Sequence, residues 1–253
     1  MLPKIWIFDT YSIMMLIGVA VCFYVFYFYH KKKGTRVGYV LDLLLVAIIA
    51  ILIALLSAAG FQYLFDFLNP NSTNKAGSMT FYGGLVGGIA VFLIGYVLVI
   101  RRKYPDSDFI NDIMVIAPAG IAVAHAFGRI GCFMAGCCYG IETDSPLGVR
   151  FPGMEHNVYP TQLFEAIFLF LLFGLLYYLA FYKRTKHTLS VYLIGYGVWR
   201  FLIEFIRGDD RGAYMLGLSP SQWFSIVAVA IGIGLIIYFN IVKIKKDRYS
   251  CLF

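Results

Sequence analysis

Charge is what this sequence has least of. Only 14% of its 253 residues are Asp, Glu, Lys or Arg, against 60% hydrophobic and 18% aromatic. With a mean hydropathy of +0.78, the chain has far more apolar surface than one soluble core could bury. That shortage excludes a soluble globular protein. There is no polar stretch long enough for a soluble domain and no convincing internal repeat, so one membrane domain over residues 1–253 is the simplest division. The first apolar run, from about Tyr11, has no basic leader and no small-residue cleavage site. It reads as a span that stays, not as a signal peptide.

What is present is a series of runs long enough to cross the roughly 30 Å of a bilayer's hydrocarbon. Seven are predicted as transmembrane helices, at about 11–29, 39–61, 82–100, 109–128, 161–182, 189–206 and 219–241. The expected fold class is therefore an all-α integral membrane protein. The basic segments "HKKKGTR", "RRK", "KRTKH" and "KIKKDR" hold most of the 21 lysines and arginines, and they follow spans one, three, five and seven. Because Lys and Arg resist translocation, this alternation predicts an outer N-terminus and a cytoplasmic C-terminus. It also accounts for the net charge of +7 without nucleic-acid binding. Outer loops are expected at about 62–81, 129–160 and 207–218.

With that orientation the unusual residues fall near the outer face. In "GRIGCFMAGCCYG", Gly128 to Gly140, the run after Arg129 is too short to span and too apolar for full solvation. It predicts a re-entrant or interfacial segment near 129–140, buried in protein or lining a cavity. Arg129 there requires an anion, and phosphate matches its planar fork. His125, one helical turn earlier, is a candidate proton acceptor or a packing histidine. In "WRFLIEFIRGDDRG", Arg200, Glu204 and Arg207 at i, i+4 and i+7 share a helical face. Glu204 would neutralise Arg200 and leave Arg207 for a ligand. Gln162 and Glu165 face one way at the start of span five. "SPSQW" opens span seven with further polar groups, and each of these polar openings alone reads as an N-cap. Tyr82, Gly83 and Gly84 open span three, where glycines admit a backbone or a lipid headgroup, or pack helices through Gly84 and Gly88. Together these describe a polar cavity for an amphipathic, lipid-like ligand.

Cys132, Cys137 and Cys138 have a C-x4-C-C spacing that matches no common zinc, iron–sulfur or haem pattern. No metal and no cofactor is expected from it. A disulfide and a set of buried thiols both fit these residues.

The ordered set "GRIG", "GGL", "YPTQLFEA", "GYGVWRFLIEFIR" and "LSPSQWFS" resembles the prolipoprotein diacylglyceryl transferase family from about Phe81 to Ser225. The resemblance implies a seven-span membrane enzyme of the bacterial cytoplasmic membrane with an outward-facing site. Such an enzyme moves the diacylglyceryl group of phosphatidylglycerol to the cysteine thiol of a lipoprotein precursor and releases glycerol phosphate. It implies Arg129 and Arg207 as the residues that grip the lipid phosphate, Glu204 as an orienting residue, and Gly128, Gly131 and Gly140 as shaping the signature loop. The chain departs from the family's usual pattern at Tyr82, where the family has a histidine, and at Cys132, where its signature reads asparagine. A phenol with an ordinary pKa near ~10 is a poor base but a good hydrogen-bond donor.

Two other functions are compatible with the sequence. A transferase could use the same phospholipid donor with a glycan or lipid hydroxyl as acceptor. A lipid-binding or transport protein would need no chemistry, but would need a polar path across the whole bilayer, which the inner halves of the spans do not offer.

Overall fold

The computed structural model describes residues 4–5, 8–68, 81–105, 109–208 and 217–250; side chains at 4–5, 8, 65, 81–82, 109–114 and 242–250 lie outside that description. Two short strands, β1 (Lys4–Ile5) and β2 (Phe8–Asp9), pair antiparallel. Seven long helices follow. They are α1 (Thr10–Lys33), α2 (Val37–Leu68), α3 (Phe81–Gly95), α4 (Phe109–Ala135), α5 (Thr161–Tyr178), α6 (Thr188–Ile203) and α7 (Pro220–Ser250). A π-helical turn, Tyr96–Ile100, extends α3 to Lys103, and another, Leu179–Lys183, extends α5. A 3₁₀ turn, Glu204–Ile206, ends α6.

All seven helices are long and apolar enough to cross a membrane. A helix suits that medium because it satisfies its backbone donors and acceptors internally. Large apolar side chains point outward along them: Leu16 and Leu171 are 70% exposed and Leu56 67%. Surfaces of that kind belong against lipid. The chain is a multi-pass membrane protein.

The described residues form two compact units, one made of residues 1–29 and 109–253 and the other of residues 30–108. The smaller unit is an α2/α3 hairpin. At one end small residues bring the backbones together. A Cβ on Gly84 would stand 3.2 Å from the Ala54 carbonyl oxygen, and one on Gly88 2.9 Å from the Ala54 Cβ. Ser57 Oγ donates to the Gly83 carbonyl at 2.9 Å. Gly84 and Gly88 thus take the packing role that small residues four apart have in membrane helices. At the other end Asp42 Oδ2 accepts from Lys103 Nζ at 2.6 Å and from the Tyr104 hydroxyl at 2.8 Å.

In the larger unit, Val25, Ile116, Ala119, Leu172 and Leu176 form a core where α1, α4 and α5 meet. A Cβ on Gly120 would lie 2.8 Å from Cys22 Sγ, so α1 and α4 are in close contact.

Two expectations about connecting segments are corrected. Residues 129–135 continue α4 and the chain turns only at Gly136, so the signature run is the end of a spanning helix and not a re-entrant segment. The reason is local: "RIGCFMA" contains no proline, and its one glycine, Gly131, serves interhelical packing, where a Cβ would stand 3.2 Å from Met14 Cβ. Similarly, α2 runs through Leu68, while residues 69–80 and 209–216 of the expected loops lie outside the described residues.

Candidate active site

The site is built on the first turn of α5. "YPTQLFEA" enters the helix after Pro160, and Thr161, Gln162 and Glu165 are all buried. Positions 162 and 165 share one face, and in an apolar bundle their polar ends must find partners or cost free energy. Gln162 Nε2 donates to the Cys137 carbonyl at 2.6 Å, and Thr161 Oγ1 to the Cys138 carbonyl at 2.9 Å.

Glu165 is fully buried, and cationic or polar groups from three segments converge on it. Arg129 Nε of α4 stands 3.0 Å from Oε2, an ion-pair distance outside hydrogen-bond angle. Arg207 Nη1 is 3.8 Å from the same oxygen. On Oε1, the Tyr196 hydroxyl of α6 donates at 2.9 Å, and His125 Nε2 lies at 3.8 Å. The His125 and Tyr196 rings meet edge to face at 5.1 Å. A buried carboxylate is tolerable only with such compensation.

A second cluster joins α6 to α7. Arg200 Nη2 is 2.8 Å from Glu204 Oε2 and donates to Ser221 Oγ at 3.0 Å. Ser219 Oγ donates to Glu204 Oε1 at 2.7 Å. Ser219 also caps α7 reciprocally: its backbone N–H donates to Gln222 Oε1 at 2.9 Å, and the Gln222 N–H to Ser219 Oγ at 3.3 Å. With Pro220 in the first helical position this is a capping box, as the polar opening of the span predicts. Arg200 is therefore held by Glu204, as the i, i+4 spacing predicts.

Arg207 is not on the helical face expected from i+7. The helix tightens to 3₁₀ at Glu204 and Arg207 is extended (φ −81°, ψ 140°). It pairs instead with the signature turn: Ile141 N–H donates to the Ile206 carbonyl at 2.9 Å and Gly208 N–H to the Tyr139 carbonyl at 3.3 Å. Gly140 makes this possible, since a Cβ there would stand 2.5 Å from the Ile206 carbonyl oxygen. The pairing turns the Arg207 side chain inward, where it is 2% exposed and Nη2 donates to the Cys138 carbonyl at 3.5 Å.

The structure thus brings together Arg129, Arg207, His125 and Gln162, with Arg200 and Glu204 beside them on α6. Gly140 shapes the turn as expected. Gly128 and Gly131 do not: both lie inside α4, where added Cβ atoms would meet Met15 Sδ and Met14 Cβ of α1 at 3.2 Å. Gly83 and Gly84 lie in the α2/α3 unit. Tyr82 is in the first turn of α3, and its side chain lies outside the described residues.

The sequence model of the family described as prolipoprotein diacylglyceryl transferase matches residues 4–238. The chain belongs to this family. Among its relatives, a Clostridium tetani protein named phosphatidylglycerol–prolipoprotein diacylglyceryl transferase is 34% identical over 248 residues, 94% of each chain. A Clostridium perfringens protein named phosphatidylglycerol–prolipoprotein diacylglyceryl transferase 2 is 35% identical over 262 residues, 98% of this chain and 96% of that one. A Dehalococcoides mccartyi protein with the first name is 29% identical over 254 residues.

Within this member of the prolipoprotein diacylglyceryl transferase family, sequence reasoning missed the hub. Glu165 reads as a helix-start residue beside Gln162, and Tyr196 as one aromatic among 19 tyrosines. The available signal was the pairing of an acidic and an amide side chain on one face of an otherwise apolar span, opposite two arginines that needed an anion.

Proposed function

We propose that this chain transfers the diacylglyceryl group of phosphatidylglycerol to the cysteine thiol of a lipoprotein precursor, at the outer face of the bacterial cytoplasmic membrane. The observation that carries the reading is the convergence of Arg129 and Arg207, from separate segments, on one oxygen of the buried Glu165. Two guanidinium groups fixed this way inside an apolar bundle fit a lipid phosphate. The names of the relatives supply the donor and the acceptor. The basic clusters that follow spans one, three, five and seven support an outward-facing site.

In this reaction the acceptor sulfur attacks the glyceryl C3 carbon. The carbon–sulfur bond forms as the C3–O bond breaks, and its electron pair stays on the phosphate oxygen that leaves as glycerol phosphate. The thiol proton passes to water. Negative charge builds on the leaving phosphate, so Arg129 and Arg207 stabilise the transition state more than the ground state. Glu165 holds the two guanidinium groups in place before the lipid arrives, which removes the cost of organising them during reaction. Gln162 and Thr161 anchor the turn that carries the Arg207 contact. Arg200 and Glu204 fix the end of α6. His125, 3.8 Å from Glu165, is the side chain we assign to hydrogen-bond or accept a proton from the substrates; for Tyr82 that role rests on the sequence resemblance alone.

The test is transfer of a labelled diacylglyceryl group from phosphatidylglycerol by the purified protein in detergent. The acceptors are a lipobox cysteine peptide and its serine version, with Arg129→Ala and Arg207→Ala as controls. Labelling of the cysteine peptide alone, abolished by both changes, is expected. Labelling of neither peptide, with lipid binding that still requires the arginines, would overturn the acceptor and move the search to envelope glycans and lipids.

A further inference from the structure

Three thiols gather at the end of α4, and the transfer reaction as described leaves them unused. The helix ends in a Schellman arrangement: Gly136 is left-handed (φ +71°), its N–H donates to the Phe133 carbonyl at 3.2 Å, and the Cys137 N–H to the Cys132 carbonyl at 3.1 Å. That motif sets the side chain after the left-handed residue against the one three residues before the cap. Here those two positions are Cys137 and Cys132. Cys138 is itself left-handed (φ +63°), a conformation that costs a non-glycine residue about 1–2 kcal/mol. It brings a third sulfur back to the first two, and all three lie within 4.8 Å of one another.

The turn is held from outside. The Cys137 carbonyl accepts from Gln162 at 2.6 Å, and the Cys138 carbonyl accepts from Thr161 at 2.9 Å and from Arg207 at 3.5 Å. Side chains of the arginine site therefore fix the geometry of the cysteine cluster. Cys132 is also three residues after Arg129, on the same face of α4.

Three converging sulfurs exceed what a disulfide uses. They match a tetrahedral zinc ion with zinc–sulfur distances of about 2.3 Å, three protein ligands and a fourth position left open, the arrangement that binds and activates a substrate group. A thiol that binds zinc is deprotonated.

We propose that Cys132, Cys137 and Cys138 form a three-thiolate zinc site whose open position takes the acceptor cysteine. This inference rests on the transfer reading above. The acceptor thiol loses its proton to water as the zinc–sulfur bond forms. The zinc-bound sulfur then attacks the glyceryl C3 carbon, the C3–O bond breaks, and its electron pair leaves with the phosphate. The thioether product is a weak zinc ligand and vacates the position. No oxidant or reductant is involved. The two substrates then meet across one turn of α4, the phosphate at Arg129 and the thiol at Cys132.

The experiment uses the full chain, purified in detergent under reducing conditions, with zinc measured per chain and cobalt(II) exchanged for zinc. Wild type and Cys22→Ser should hold about one zinc each, and Cys132→Ser, Cys137→Ser and Cys138→Ser none. The sulfur-to-cobalt charge-transfer band of the cobalt form should change with the lipobox cysteine peptide and not with the serine peptide. Stripping wild type with a chelator should lower transfer by about 30-fold at pH 7, the factor between a thiol of pKa ~8.5 and its thiolate. Zinc should restore the rate, and the gap should narrow as pH rises past 8. These wild-type measurements hold even where a serine variant misfolds. A metal-free wild type that still transfers would overturn the zinc site and leave the transfer reading intact. A cobalt band indifferent to the two peptides would overturn the acceptor role. A cobalt band that responds to the cysteine peptide, in a protein that transfers nothing, would uphold the site and overturn the transfer reading.

Discussion

Arg129 Nε stands 3.0 Å from Glu165 Oε2, and the glutamate has no exposed surface. The signature arginine of α4 is thus positioned by a carboxylate from α5, the helix whose first turn also anchors the cysteine turn. Removing that negative charge leaves Arg129 and Arg207 facing each other without their shared partner. Glu165→Gln is expected to destabilise the detergent-solubilised protein by about 3–5 kcal/mol, the usual cost of breaking a buried pair from one side. Thermal unfolding against wild type measures it.

Replacing either guanidinium by an ammonium keeps the charge and loses the planar fork. Arg129→Lys and Arg207→Lys should each lower kcat for diacylglyceryl transfer by about 10²-fold. KM for the phospholipid should change much less. A KM effect with kcat preserved would mean that these groups only bind the lipid.

The Arg200–Glu204 pair behaves differently, because its partners are Ser221 and Ser219 and its role is to join α6 to α7. Arg200→Met or Glu204→Leu alone should destabilise by about 3–5 kcal/mol. The double variant should cost less than either single one, since no buried charge is left alone. A double-mutant cycle on thermal unfolding reads this directly.

Gly140 permits the close approach of the signature turn to residues 206–208. A Cβ there would press on the Ile206 carbonyl oxygen at 2.5 Å and on Tyr159 Cβ at 2.8 Å. Gly140→Ala should displace Arg207 and reduce transfer by about 10²-fold, with a smaller effect on the unfolding midpoint. Gly174→Ala, within α5 and with no atom within 4 Å of an added Cβ, should leave the rate near wild type.

The seven spans were legible because hydropathy over about 20 residues reports a one-dimensional property of the chain. Their starts agree with the helices to within a few residues, but three helices run on past the predicted ends: α2 to Leu68, α7 to Ser250, and α4 to Ala135, where apolar residues that the spacing assigns to a re-entrant turn simply extend the helix. The Arg200–Glu204 pair was legible for a similar reason: i, i+4 contacts are made within one helix. Arg207 does come close to Glu165, but not through the expected register, because the 3₁₀ turn at Glu204–Ile206 ends the helical periodicity. The Glu165 hub was not legible. Its meaning depends on α4 and α6 both lying against α5, which no local pattern encodes. The three cysteines were legible as a group, read as a disulfide or buried thiols, but the convergence of all three sulfurs was not, because a backbone turn gathers them and not a ligand spacing.

The Arg129, Arg207 and Glu165 cluster carries one net positive charge. A phosphodiester headgroup linkage brings one negative charge and balances it. The phosphomonoester left after transfer carries nearly two at neutral pH, so the cluster attracts it more strongly than the diester, and Glu165, by lowering the cluster from two positive charges to one, weakens that hold on the product. Glu165 is therefore expected to ease product release. Glu165→Gln raises the cluster to two positive charges and should make glycerol phosphate a stronger inhibitor than it is of wild type.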